Sequence, residues 1–239
     1  MVVKLKSALI NLNFRLLLIR LPVFAASLWW IRASEEKFLP TTALFISSYW
    51  LYTRAPALGL RIFGSFAVLI AFAFVVPVKD SLEIYILAGT TGLMYLLLGV
   101  RSLLFIKREN VYYFANIALS FGATVLYFLG YLHLILFALM LFILFRELYI
   151  NMAPATSKKI IILVSLVDVL IVIQSSWIIA FLQLGPFTAA LLTILFAFAF
   201  NDIMANHLRR TLTRKIIKGN IIVFGALSLL VLLGAPWRF

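Results

Sequence analysis

Long apolar runs separated by short polar or basic stretches make up most of the chain. Their approximate bounds are Leu16–Ile31, Leu39–Thr53, Leu60–Val78, Glu83–Ile106, Val111–Leu129, Leu132–Ile150, Lys159–Gln183, Pro186–Ala205 and Gly219–Pro236. A helix needs about 20 apolar residues to cross a hydrocarbon core roughly 30 Å thick. The pattern therefore predicts an all-α fold, a polytopic transmembrane bundle of about nine membrane-spanning helices, with residues 1–239 forming a single integral-membrane domain.

The lengths of three runs leave part of this count open. The first two runs are short for a full crossing, so either can be a tilted, re-entrant or interfacial segment instead. The apolar stretch from Val111 to Phe145 is too long for one crossing. We therefore divide it at Gly130 and Tyr131 into two predicted crossings.

Composition narrows the class of protein further. Hydrophobic residues make up 65% of the chain and charged residues 12%, which is typical of membrane spans and far from soluble domains. The absence of cysteine excludes disulfides, thiolate nucleophiles and cysteine metal sites. A net charge of +13 would suggest nucleic acid in a soluble protein, but here the basic residues lie at the ends of apolar runs. We therefore expect anionic lipid headgroups as the partner and no nucleic acid.

The distribution of basic residues predicts the orientation of the chain. With nine crossings, all but four of the 21 Lys and Arg residues fall on one side, the exceptions being Arg32, Lys37, Lys79 and Arg238. Cytoplasmic loops carry the excess of basic residues in membrane proteins. The N-terminus is thus predicted to be cytoplasmic and the C-terminus outside, in a multi-pass protein of a bacterial-type inner membrane.

Asp168 is the most deeply placed acid of the predicted spans. It lies about 14 Å along its helix from Lys159, at roughly 1.5 Å per residue. Ser165 and Ser175 share its helix face, and Asn201 lies at a matching depth on the returning helix, on a small-residue face. Asp202 points to nearly the opposite side of that helix. We therefore expect Asp168 and Asn201 to pair.

Two interpretations of Asp168 are evenly balanced. A carboxylate in mid-membrane costs roughly 2.5 to 3.5 kcal/mol on insertion scales, so the group is expected to be paired, protonated or facing water. It either forms an interhelical hydrogen bond that locks the bundle, or it lies on a path for protons, cations or substrate that Ser165, Ser175, Asn201 and Asp202 share. Asp168→Asn is expected to preserve the interhelical hydrogen bond and to abolish transport along the path. Asp168→Leu is expected to destabilise the protein. For Asp202, a structural ion pair with a basic residue is favoured.

Other polar groups gather toward the predicted cytoplasmic side. Asn116, Arg146 and Glu147 can form a vestibule that opens inward, although ordinary interfacial positions explain them equally well. The stretch from His207 to Lys218 is expected to contact lipid headgroups or to serve as a plain topology anchor, through Arg209, Arg210, Arg214, Lys215 and Lys218. Aromatic rings, Tyr149 among them, fall close to the predicted interfaces.

No sequence motif in the chain indicates a particular reaction. The two histidines lie on opposite predicted sides, which excludes haem and zinc sites built on both of them, and no cofactor or metal is expected. The leading hypothesis is a small permease or transporter with a polar path around Asp168. The alternative is an accessory or scaffold subunit that docks on a larger membrane complex, and so has a membrane-protein partner. A membrane-embedded lipid-modifying enzyme is a third hypothesis, disfavoured because no nucleophile and base pair is apparent.

Overall fold

The computed structural model of the chain describes residues 19, 21–31, 33, 38–53, 62–75, 83–101 and 108–235. All of these residues lie in helices or in short connections between helices. Over the described ranges the helices are α1 (Leu21–Ile31), α2 (Phe38–Thr53), α3 (Phe63–Val75), α4 (Glu83–Arg101), α5 (Arg108–Phe128), α6 (Leu134–Met152), α7 (Lys158–Ala180), α8 (Pro186–Leu208) and α9 (Arg214–Gly234). The predicted all-α class is confirmed for this part of the chain.

Five helices of the described part are long and apolar enough to cross a membrane. They are α6, α7, α8, α9 and the Asn110–Phe128 segment of α5. Shorter apolar helices cover Leu21–Ile31, Phe63–Phe72 and Gly89–Val100. These features indicate a membrane-embedded protein, while the number of crossings and their orientation stay predictions.

The turn after α5 confirms the division of the longest apolar stretch. Gly130 has a φ of +78°, a left-handed conformation that glycine adopts without steric cost. The Tyr131 N–H donates to the Leu126 carbonyl and the Gly130 N–H donates to the Tyr127 carbonyl. This pair of bonds is the Schellman arrangement that closes many helices.

The starts of α8 and α9 follow local signals in the sequence. Pro186 occupies the first turn of α8, where a missing N–H costs nothing. The last helix begins at Arg214, capped by the Thr213 side chain, whereas the sequence placed its apolar run from Gly219. Polar residues can extend a helix beyond its apolar core because capping and backbone hydrogen bonds do not depend on hydropathy. As a result, the last three basic residues of the cluster lie on a helix and not in a loop.

Tertiary contacts divide the chain into two compact units, with the boundary between Ala115 and Asn116 inside α5. In the N-terminal unit, α3 packs on α4. There the Phe45 and Phe74 rings stack at 5.5 Å between centroids, and the hydroxyls of Ser65 and Tyr112 lie 3.1 Å apart.

The C-terminal unit is built around α7. This helix packs against α6 and α8, and α6 also contacts α8, so the three helices form a cluster. On one side the remainder of α5 joins α6, where the Tyr127 and Phe137 rings stack with centroids 4.5 Å apart. On the other side α9 packs against α8 and has no buried residue. The interior of the unit therefore lies between α6, α7 and α8.

Candidate functional site

One stripe of α7 is buried inside the three-helix cluster. It comprises Ile161, Ser165, Asp168, Val169, Val172 and Ser176. Their spacing of three and four residues places them on one face of a helix. Asp168 has no exposed surface at all, and it lies about 15 Å from the start of α7 at 1.5 Å per residue. The fold thus buries this carboxyl group in the interior of the unit.

The facing stripe of α8 is made of small residues, as the sequence predicted. Ala190, Thr193, Ala197 and Asn201 are all buried. Small side chains allow the backbones of membrane helices to approach closely. This close approach brings Asn201 into the same cluster as Asp168.

Tyr149 of α6 joins the two predicted partners. Its hydroxyl lies 2.7 Å from Oδ2 of Asp168 and 2.7 Å from Oδ1 of Asn201. The ring is fully buried. Asp168 and Asn201 therefore meet through a tyrosine hydroxyl supplied by a third helix, and not by the direct pairing that the sequence suggested.

The sequence grouped Tyr149 with the rings near a predicted membrane interface, which stays a prediction, and did not assign it to the polar cluster. Its Cα lies about one turn before the end of α6, which is why it resembled an interfacial residue. Side chains on a helix tilt toward its N-terminus, and for α6 that direction leads into the unit. Helical spacing could have revealed this position, because Tyr149 continues the buried stripe that contains Phe137, Leu141 and Phe145.

Proton counting shows that the cluster has two satisfied arrangements. A tyrosine hydroxyl donates one proton and accepts others, so it cannot donate to both oxygens at once. In the first arrangement a protonated Asp168 donates to Tyr149, which donates to Oδ1 of Asn201. In the second an ionised Asp168 accepts the Tyr149 proton, and the Asn201 amide turns so that Nδ2 donates to the tyrosine oxygen. The cluster can therefore hold or release one proton without losing a hydrogen bond.

The second carboxyl oxygen of Asp168 has no partner. Within the described part of the chain, Oδ1 is buried and makes no hydrogen bond. Buried polar atoms are rarely left in this state, because each costs about 1 to 3 kcal/mol. This oxygen is the atom of the cluster that remains available to a further ligand.

The neighbouring hydroxyls are already bonded within their own helices. Ser165 donates to the Ile161 carbonyl and Ser175 to the Ile171 carbonyl. Ser165 is buried beside Asp168, whereas Ser175 lies half-buried at the margin of the stripe. Their place on a path for ions or substrate stays a prediction.

Asp202 faces away from this cluster, as its position on the helix predicted. Its Oδ2 accepts a hydrogen bond of 2.7 Å from Nδ2 of Asn220 on α9. The partner that the structure describes is thus an amide, where the sequence favoured a basic residue. Asp202 joins α8 to α9, while Asn201 joins α8 to α6 and α7.

The residues of the predicted vestibule lie in different surroundings. Asn116 is buried and donates through Nδ2 to the Leu144 carbonyl at 3.0 Å. Arg146 is exposed and Glu147 is buried, as adjacent residues on a helix separated by about 100° often are. A vestibule formed by these three residues stays a prediction.

The basic cluster is divided by the fold. Arg209 and Arg210 follow α8 and line a cavity, and Nε of Arg209 donates to the Met152 carbonyl at 2.6 Å. Arg214, Lys215 and Lys218 lie instead on the first turns of α9, outside the cavity lining, and all five basic residues are exposed. Contact of all five with lipid headgroups stays a prediction.

Comparison of the chain with protein-family models, curated proteins and solved structures gave no match. The functional argument therefore depends on the geometry of the chain itself.

Proposed function

We propose that this is an integral membrane protein of a bacterial-type inner membrane that moves protons or small cations across the bilayer through Asp168. The observation that carries the proposal is a fully buried carboxyl with one oxygen bonded to Tyr149 and the other without a partner among the residues that the structure describes. Ionisable residues inside membrane spans commonly belong to ion pathways or proton relays. The unpartnered oxygen is where a proton or a cation would bind.

The two arrangements of the cluster supply a mechanism for coupling. When Asp168 loses its proton, the Tyr149 hydroxyl turns toward the carboxylate. Asn201 must then present Nδ2 in place of Oδ1 to keep its hydrogen bond. Protonation on α7 would thereby change the group presented by α8. In a proton-coupled carrier, binding of the proton must change the contacts between helices.

Proton flux into liposomes tests this function directly. Purified protein is reconstituted into vesicles that enclose a pH-sensitive dye, and an outward potassium gradient with valinomycin drives proton uptake. We expect wild-type flux above that of protein-free vesicles, and flux at the protein-free level for Asp168→Asn. Asp202→Asn is the matched control, since it alters an acid on the other side of α8, and its flux should remain.

The same vesicles distinguish a proton from another small cation. When valinomycin is left out and a sodium or potassium gradient is applied at constant pH, ion-sensitive dyes report the flux of that cation. The proposal is supported if the wild-type protein carries protons, sodium or potassium and the Asp168→Asn variant does not carry that ion. Flux of none of them, or flux that Asp168→Asn leaves intact, would overturn it.

A scaffold subunit is the second candidate function. The observation that favours it is that the buried hydroxyls of Ser165, Ser176 and Thr193 each donate to a carbonyl of their own helix. Together with the Tyr149 cluster they would then serve helix packing alone. A stable membrane partner that co-purifies in mild detergent with both wild type and Asp168→Asn, without ion flux, would favour this function. The enzymatic hypothesis stays a prediction.

The proposed orientation has a test of its own. A reporter that is active only outside the cytoplasm, fused after Phe239, should be active. Its cytoplasmic counterpart fused at the same position should be inactive. The reverse result would contradict an odd number of crossings with a cytoplasmic N-terminus.

A further inference from the structure

A cavity of about 770 Å³ opens where the α6–α7 connection meets the end of α8. One wall is the connection from Met152 to Ser157, and the other is the stretch from His207 to Arg210. Both walls belong to the C-terminal unit and lie at the ends of helices that are long enough to cross a membrane. Ligand sites typically occupy about 300 to 1,000 Å³. The cavity is thus large enough for a lipid headgroup or a similar anion.

The charges around this cavity have one sign. Arg209 and Arg210 line it, and no Asp or Glu is among its lining residues. Ser157 and Ile160 of the α7 start also line it, and Lys158 and Lys159 lie in the same turn. The Ser157 hydroxyl already accepts a hydrogen bond from the Ile160 N–H, while the N–H groups of Lys158 and Lys159 and the helix dipole favour an anion at this end. The cavity therefore combines guanidinium groups with a helix start.

Arg209 and Arg210 make different contacts at the cavity. Arg209 donates to the last carbonyl of α6 and so ties one wall of the cavity to the other. Arg210 has a φ of +59°, and the N–H groups of Arg210 and Thr211 donate to the His207 and Asn206 carbonyls. Arg210 thus stands at the Schellman position where glycine is usual. Its guanidinium makes no hydrogen bond or ion pair with any residue that the structure describes.

We propose that this cavity binds a phosphate-bearing anion, with the Arg210 guanidinium as its principal ligand and the start of α7 as the second. Guanidinium groups bind phosphate oxygens through two parallel hydrogen bonds. Apolar residues on the same walls, such as Ile160 and Leu208, would accommodate the glycerol part of a lipid. The shared chemistry is the phosphate, whether it belongs to a lipid or is free in solution.

Arg210→Gly provides an unusually sharp test because glycine is the residue that the turn prefers. The substitution removes the guanidinium and relieves the left-handed backbone, so a loss of binding cannot be assigned to misfolding. Arg210→Gln removes the same charge without changing the backbone preference. Arg214→Gln removes one charge from the start of α9, outside the cavity lining, and is the matched control.

Binding is measured with two probes. Inorganic phosphate is titrated into the purified full-length protein in neutral detergent, and the protein is placed in phosphatidylcholine nanodiscs with and without phosphatidic acid. We expect at least one probe to bind, and both Arg210 variants to weaken it about five- to tenfold, since one guanidinium at an anionic surface contributes about 1 kcal/mol or more. Arg214→Gln should change it less than twofold.

The outcomes separate the source of the phosphate from the existence of the site. Binding of phosphatidic acid alone assigns the site to a lipid, and binding of inorganic phosphate assigns it to a soluble anion. The proposal is overturned if neither probe binds, or if Arg214→Gln weakens binding as much as the two Arg210 variants. The second result would mean that the whole basic surface acts without a defined site. None of these results depends on ion flux through Asp168.

Discussion

Two polar clusters lie on different faces of α8, because they begin from adjacent residues that are about 100° apart around the helix. Asn201 belongs to the inner cluster with Tyr149 and Asp168, whereas Asp202 belongs to the outer one with Asn220. The inner aspartate is fully buried and has an unpartnered oxygen, while the outer aspartate is half-buried and accepts from an amide. Two aspartates that both lie within apolar runs of the sequence thus occupy very different environments.

The comparison shows that the burial of these two aspartates depends on how many helices pack around each of them. The hydropathy of the neighbouring residues in the sequence does not distinguish them. Three helices converge on Asp168, and they leave it no exposed surface. Two helices meet at Asp202, which keeps access to the surroundings of the unit. Only the inner cluster has both the isolation and the spare oxygen that proton or cation binding needs.

The largest effect on stability is expected from Tyr149→Phe. The change removes the one hydroxyl that Asp168 and Asn201 share, and so leaves two buried groups, the Asp168 carboxyl and the Asn201 amide, without this hydrogen-bond partner. At roughly 1 to 3 kcal/mol for each of the two unsatisfied groups, the loss in free energy of unfolding should be about 2 to 6 kcal/mol. Thermal unfolding in detergent measures it.

Tyr127→Phe is the matched control for this change. Its ring stacks on Phe137 in the same unit, and its hydroxyl has no hydrogen bond among the described residues. Its stability should stay within about 0.5 kcal/mol of wild type, as for most substitutions away from special features. A Tyr149→Phe variant as stable as Tyr127→Phe would show that the inner cluster does not hold the helices together.

A smaller effect is expected from Asp168→Leu than the sequence suggested. Tyr149 still has Oδ1 of Asn201 as an acceptor when the carboxyl is gone. The lost hydrogen bond is worth about 0.6 to 2 kcal/mol in a membrane, and removal of a costly buried carboxyl offsets part of this loss. The free energies of unfolding of the Asp168→Leu and Asp202→Leu variants should therefore differ by less than about 1 kcal/mol. This difference lies within the range of one hydrogen bond in a membrane.

Ion flux should separate these two leucine variants although stability does not. Asp168→Leu is expected to lose flux and Asp202→Leu to keep it. If both variants lose flux equally while remaining folded, the distinction between the inner and outer clusters is not functional.

The smallest effect is expected from Asn220→Ala, which removes the outer hydrogen bond. Asp202 is half-buried and can exchange this partner, so the loss should be about 0.6 kcal/mol or less. Gly225→Ala on the same helix is a control of opposite sign, since an added methyl group meets open space and alanine favours a helix by about 0.5 to 1 kcal/mol. Equal unfolding temperatures for the two variants would mean that α9 does not contribute to the measured transition.

Several parts of the fold could be predicted from local sequence signals. The all-α class follows from apolar runs of span length, and the division of the longest run follows from Gly130 in its left-handed turn. The small-residue face of α8 and the position of Asp202 on a different face follow from helical spacing alone. These features depend on residues near one another in the chain, which is why a single sequence carries them.

The composition of the inner cluster could be predicted only in part. Asp168 and Asn201 were identified because unusual residues in apolar runs are visible in a sequence. Tyr149 was missed because a tyrosine near a helix end is typical of an interface, and only the stagger of α6 against α7 brings its hydroxyl inward. Likewise, the basic residues after α8 form a single cluster in the sequence. The structure divides this cluster, because α9 begins at Arg214.

By itself, then, the sequence determined which segments are helical and apolar, and which rare polar residues lie within them. It did so because hydropathy, glycine conformation and helical periodicity act over a few residues. Only the tertiary structure decided that one hydroxyl serves both Asp168 and Asn201, that one oxygen of Asp168 is left without a partner, and that Arg210 lines a cavity. These features depend on the relative depth and rotation of packed helices, which arise from side-chain packing between segments distant in the chain.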